Sequence, residues 1–104
     1  MIASYVGPDG AERAFDVSCL GDFQSLVAEA CTSVLLEHEN GSSLAFSGSE
    51  SGAFLVWTDP MHYVYSWQGE REHALACVRT YLETGWPTSE HVRFSHDGTG
   101  PDTR

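Results

Sequence analysis

Between residues 33 and 68 the chain alternates strand-like segments with short turns, and no other feature limits its fold so sharply. Segments 34–39 and 42–47 flank Asn40-Gly41, a pair favoured in type I′ turns because both central residues there need positive φ. A Gly/Ser/Glu loop over 48–52 leads into 53–58, and Asp59-Pro60 turns the chain again. Segment 62–67 follows, with aromatic and β-branched residues that suit a pleated surface. Short strands joined by turns this tight pair with their neighbours, so the middle of the chain is expected to be an antiparallel meander.

The flanks complete the layout. Pro8-Asp9-Gly10 is a tight-turn signature between strands over 2–6 and 12–17, an N-terminal hairpin. From Asp22 to Cys31 the period changes: Phe23, Leu26, Val27 and Ala30 fall on one face of a helix, with Ser18 or Asp22 able to cap its start. A second helix opens near Gly69, carrying an apolar stripe of Ala74, Leu75, Val78, Tyr81 and Leu82. Gly85 stands where a helix ends in a left-handed residue, and Pro87 prevents continuation. A short strand over 91–94 closes the domain, and 97–104 reads as a flexible C-terminal tail. The expected architecture is one α+β domain over 1–96. It has a mainly antiparallel sheet, made of the N-terminal hairpin, a four-strand meander and a short C-terminal strand, with two helices on one face.

Charge restricts the partners. Fifteen acidic residues oppose five arginines, there is no lysine, and the formal charge is -10 at pH 7. DNA, RNA and anionic membrane surfaces, which are held by clustered basic residues, would be repelled at long range, whereas a basic protein would be attracted. A hydrophobic content of 41% still suits an ordered globular chain. No stretch approaches the roughly 20 apolar residues of a membrane span, and the first residues lack the basic, then apolar, pattern of a signal peptide. Cys31 and Cys77 lie in helical patterns and read as small buried hydrophobes, so the expected location is the reducing cytoplasm.

No catalytic motif is legible, and the chain is expected not to be an enzyme. The glycines over 41–48 lack the Lys-Ser/Thr of a phosphate loop. Ser47-Gly48-Ser49-Glu50-Ser51-Gly52 resembles a nucleophile elbow in letters only, because it joins two strands and not a strand to a helix. Cys77 and His73, at i and i+4, could interact, but Cys77 lies near the buried stripe; Cys19 is the accessible thiol and has no basic activator. No metal or cofactor is expected. His62, His73 and His91 have no Cys or His at zinc-ligand spacing, and Glu37-x-Glu39 reads as an exposed acidic edge. Glu70-x-Glu72 complements a helix N-terminus. Tyr63, Tyr65 and Trp67 alternate and so share one face, which is either core or an exposed aromatic platform.

The segment from Glu72 to Phe94 carries Thr84-Gly85-Trp86-Pro87 after a helix, then Val92-Arg93-Phe94. It resembles the C-terminal signature of the Imm1 family, immunity proteins of bacterial polymorphic toxin systems, with Phe94 where that family usually has tryptophan. The glycine-punctuated meander over 42–67 is similar in layout. The resemblance implies a small cytoplasmic protein that binds a cognate secreted toxin and blocks its active site. Such toxins are often nucleases or deaminases with basic grooves, which suits an acidic inhibitor. The acidic and aromatic residues nearest the meander turns are the candidate contacts: Glu37, Glu39, Glu50, Trp57 and Asp59. The alternatives are a small-molecule or metal-binding module using the concave face of the sheet, and a homodimer paired through a sheet edge. The oligomeric state is left open.

Overall fold

A computed structural model describes residues 1–6, 10–24, 33–48 and 52–96. The first helix beyond 24 (with Cys31), Pro8-Asp9, Glu50 and the tail over 97–104 lie outside the described residues. The strands are β1 (Ile2–Val6), β2 (Glu12–Asp16), β3 (Ser33–Glu37), β4 (Ser43–Gly48), β5 (Ala53–Thr58), β6 (Val64–Gly69) and β7 (Ser95–His96). Helix α1 is described over 20–24, and α2 spans Arg71–Thr84. The strands form one antiparallel sheet in the order β2-β1-β3-β4-β5-β6-β7. The α+β architecture expected from the sequence is the one observed.

Strand alternation sorts the residues between two faces. Ala3, Val34, Leu36, Leu44, Phe46, Ala53 and Leu55 point to the helices, together with Val17, Phe23, Ala74, Cys77, Val78, Tyr81 and Val92, and all are buried. Phe23 of α1 meets Phe46 of β4 edge to face, ring centroids 5.2 Å apart, while α2 packs over β4 and β5. Both helices therefore cover the same side. Each fully buried Leu or Phe contributes on the order of 1.5–3 kcal/mol.

The ambiguous aromatic set divides. Cross-strand pairing of Leu44 with Trp57, Trp57 with Tyr65 and Leu55 with Trp67 places Tyr65 and Trp67 on the helix side. Tyr63 precedes β6, half-buried against the His96 ring.

Three local expectations are corrected. The Asn40-Gly41 hairpin is not type I′, because only Gly41 has positive φ, 92°. His38 N–H donates to Ser42 O (3.0 Å) and Gly41 N–H to His38 O (3.1 Å), which is a three-residue loop ending in a left-handed glycine. Strand β6 begins at Val64 and not at His62, since His62 has φ 72° and belongs to the turn. The last strand is Ser95–His96 and not 91–94: Val92 N–H turns back to Ser89 O (3.2 Å), and the Val92 side chain joins the core.

The helix ends follow their chemistry. Ser18 N–H and Oγ both donate to Asp22 Oδ2 (3.1 and 3.0 Å), so Asp22 reaches back from the first turn of α1. Those bonds hold the Asp22 carboxyl below its usual 3.8. At the end of α2, Gly85 adopts φ 81° and its N–H donates to Tyr81 O.

Candidate binding surface

The β3–β4 and β5–β6 turns meet at one end of the sheet, because Glu37 pairs with Ser43, Ser43 with Thr58 and Thr58 with Val64. The C-terminus of α2 docks between them through a polar network. Asn40 Oδ1 accepts from Ser42 N–H (2.9 Å) and Ser42 Oγ (2.6 Å), and Ser42 Oγ lies 2.9 Å from the Tyr81 hydroxyl. Burial raises the Tyr81 hydroxyl above its usual 10.0, against the opposing pull of hydrogen bonds with Ser42 and His38. Fully connected polar groups of this kind fix the turn relative to the helix.

On one side of this junction is a groove of about 500 Å³. Glu37, His38 and Glu39 form its acidic wall, and Met1, Ile2 and Leu82 are among its apolar lining. Glu37 and Glu39 are both exposed, and among the described residues no arginine lines the groove. The Met1 ammonium at its edge is paired with Asp16 Oδ1 at 3.2 Å. Two carboxylates beside apolar surface suit a long basic side chain, whose stem packs while its head pairs with the acids.

Across the junction is an aromatic cluster. Trp57 stacks on Tyr65 (centroids 5.0 Å), meets Trp86 edge-on (5.4 Å) and lies 5.9 Å from Phe94. Trp86 is 47% exposed. The Trp57 Nε1–H is enclosed and has no hydrogen-bond partner among the described residues, a state that costs on the order of 1–3 kcal/mol. Trp57 is thus a half-buried support for Trp86, which carries the accessible aromatic surface.

Asp59 also has a structural task, in keeping with its place at the turn the sequence marks. Its Oδ1 accepts from Met61 N–H (2.9 Å) and Tyr63 N–H (3.0 Å), and its Oδ2 from the Tyr65 hydroxyl (3.2 Å). The carboxylate therefore builds the β5–β6 turn and is not free to act as a contact alone. Enclosure and then the bond to Asp59 raise the Tyr65 hydroxyl above its usual 10.0.

Four of the five candidate contacts, Glu37, Glu39, Trp57 and Asp59, thus gather at one end of the sheet. The β4–β5 connection that carries Glu50 leaves from the opposite end, where Gly48 pairs with Ala53 and Ala53 with Gly69. Sequence reasoning does not name Ile2, Leu82 or Trp86 as contacts: Leu82 reads as part of the helix stripe and Trp86 as part of a turn motif, and they become surface partners of the acids and of Trp57 only through the fold. Cys77 is buried and its thiol is pushed up to about 11, so it is protonated at neutral pH. Among the described residues no helix is long and apolar enough to cross a membrane. Compared with known proteins, the chain matches no family model, no curated protein and no solved structure.

Proposed function

We propose that this protein is an immunity protein that binds and neutralises a cognate secreted bacterial toxin, seating a basic side chain of the toxin in the Glu37–Glu39 groove. One observation carries the reading: two exposed carboxylates line one groove with apolar Ile2 and Leu82 in a chain of formal charge -10. The acidic surface steers a basic partner at long range, and the groove supplies the short-range contact. Trp86, beside the α2 terminus, adds an exposed aromatic of the kind that anchors interfaces. The resemblance of Thr84-Gly85-Trp86-Pro87 and Val92-Arg93-Phe94 to Imm1 proteins supports the same assignment. A nuclease or deaminase fits as the target, since a groove that binds polyanionic nucleic acid is basic. In this reading the protein acts in the cytoplasm of the producing cell and performs no chemistry of its own.

The test is co-expression with the product of the adjacent gene in the native host, followed by titration calorimetry. A stable complex that weakens with salt is expected, and Glu39→Lys should weaken it at least about tenfold while leaving stability within roughly 0.5 kcal/mol of wild type. A toxin bound equally well by a Glu37→Lys/Glu39→Lys variant, or the absence of any stable partner, would refute the assignment.

A further inference from the structure

At the opposite end of the sheet the fold assembles a group of side chains that the chain keeps apart. His73 lies in the first turns of α2, and His91 in the segment that returns past the sheet edge after Gly85 and Pro87 have reversed the chain. Their imidazole rings come to a centroid separation of 4.6 Å, tilted by 36°. Glu70 Oε2 lies 3.4 Å from His73 Nε2, and one ligand atom each from Glu70, Glu72 and His73 falls within 4.8 Å of the others. His91 Nε2 meanwhile lies 3.4 Å from Glu90 Oε1.

These separations have a chemical reading. In a tetrahedral zinc site with bonds of about 2.0–2.1 Å, neighbouring ligand atoms are about 3.4 Å apart. The Glu70–His73 pair already has that spacing. The other atoms, those of His91 included, would have to close to it by side-chain rotation, for which there is room because Glu70, Glu72 and His91 are exposed and His73 is half-buried. Two imidazoles also distinguish this group from an acidic patch, because nitrogen donors favour zinc, copper and nickel, whereas calcium and magnesium take oxygen.

We propose that Glu70, His73 and His91, with Glu72 as the fourth group, form a site for a divalent transition-metal ion of the zinc class. The ion would tie the start of α2 to the segment that precedes β7, two parts of the chain joined along the sequence only through the α2 terminus. The site is remote from the Glu37–Glu39 groove, so it stands or falls independently of toxin binding.

The experiment is calorimetric titration of the full chain with zinc chloride after chelator treatment, in a Cys19→Ser background that removes the thiol exposed among the described residues. One zinc ion per chain is expected, with His73→Ala and His91→Ala each weakening binding at least about tenfold. Bound zinc should raise Tm by several degrees at saturating metal, and calcium should do neither. Glu70→Gln and His91→Ala alter exposed side chains, so circular dichroism should show an intact fold while zinc affinity falls. Nitrogen-detected NMR should show zinc shifting the ring signals of His73 and His91 and leaving those of His62 and His96 in place. No zinc binding, binding undiminished in the His73→Ala/His91→Ala double variant, or calcium binding as tight as zinc would each overturn the proposal.

Discussion

Replacing Gly85 by alanine probes the junction on which the binding end of the sheet depends. Gly85 has φ 81°, a conformation that costs an L-residue about 1–2 kcal/mol. Its new Cβ would lie 2.8 Å from Asn40 Nδ2 and 3.1 Å from two atoms of the His38 ring. Asn40 cannot simply swing away, since its Oδ1 holds both Ser42 N–H and Ser42 Oγ. Losing those bonds would cost a further ~0.5–1.5 kcal/mol each. The expected total is about 2–5 kcal/mol of lost stability. Gly41 provides the control. It has φ 92° and nothing within 4 Å of the position an added Cβ would take, so Gly41→Ala should cost only the backbone part, about 1–2 kcal/mol. Urea unfolding followed by tryptophan fluorescence and circular dichroism measures both. In an Asn40→Ala background the Gly85→Ala penalty should shrink by roughly 1–3 kcal/mol, which a double-mutant cycle detects. If Gly85→Ala proves no more costly than Gly41→Ala, the α2 terminus does not press on the β3–β4 turn, and the junction between them is not rigid.

Two further outcomes follow from the same geometry. An unfolded thiol titrates near 9.0 whereas buried Cys77 is pushed up to about 11, so the folded state holds its proton more tightly. That contribution is complete below pH 9.0 and is lost as pH rises towards 11, by roughly 3 kcal/mol, with Tyr81 adding to the loss above 10.0. Denaturation midpoints between pH 8 and 11 should show the decline, and Cys77→Ala should flatten it; an equally steep decline in that variant would exclude the thiol as its source. Asp59→Ala removes the acceptor for two backbone N–H groups and the Tyr65 hydroxyl, and should cost about 1–2 kcal/mol by urea unfolding. A neutral result there would mean that the β5–β6 turn holds without its aspartate.

Local patterns carried the architecture because the code for it is short-range. The alternation in β3, β4 and β5 has a period of two, and the Ala74–Val78–Tyr81 stripe a period close to 3.6, and each survives whatever the element later packs against. Gly85 was legible for the same reason, since its left-handed conformation belongs to the helix end itself. Turn details were less legible. Asn40-Gly41 fits two hairpin geometries, and the three-residue loop is the one in which Ser42 bonds both Asn40 and the Tyr81 hydroxyl. The start of β6 depends on the Asp59 carboxylate, whose hydrogen bonds to Met61 and Tyr63 no periodicity announces.

Neighbouring residues and composition were enough to set most of the strands, the second helix, the sheet class and the sign of the surface. Which charges share a neighbourhood was decided only when the elements packed. Glu37 and Glu39 acquired Ile2 and Leu82 as neighbours because β1 pairs with β3 and α2 returns over the sheet. His73 and His91 met because the chain reverses at Gly85 and runs back to pair β7 with β6. Residues separated along the chain interact only once backbone hydrogen bonds and core packing have fixed their distance, and no spacing rule reads that distance from the letters alone.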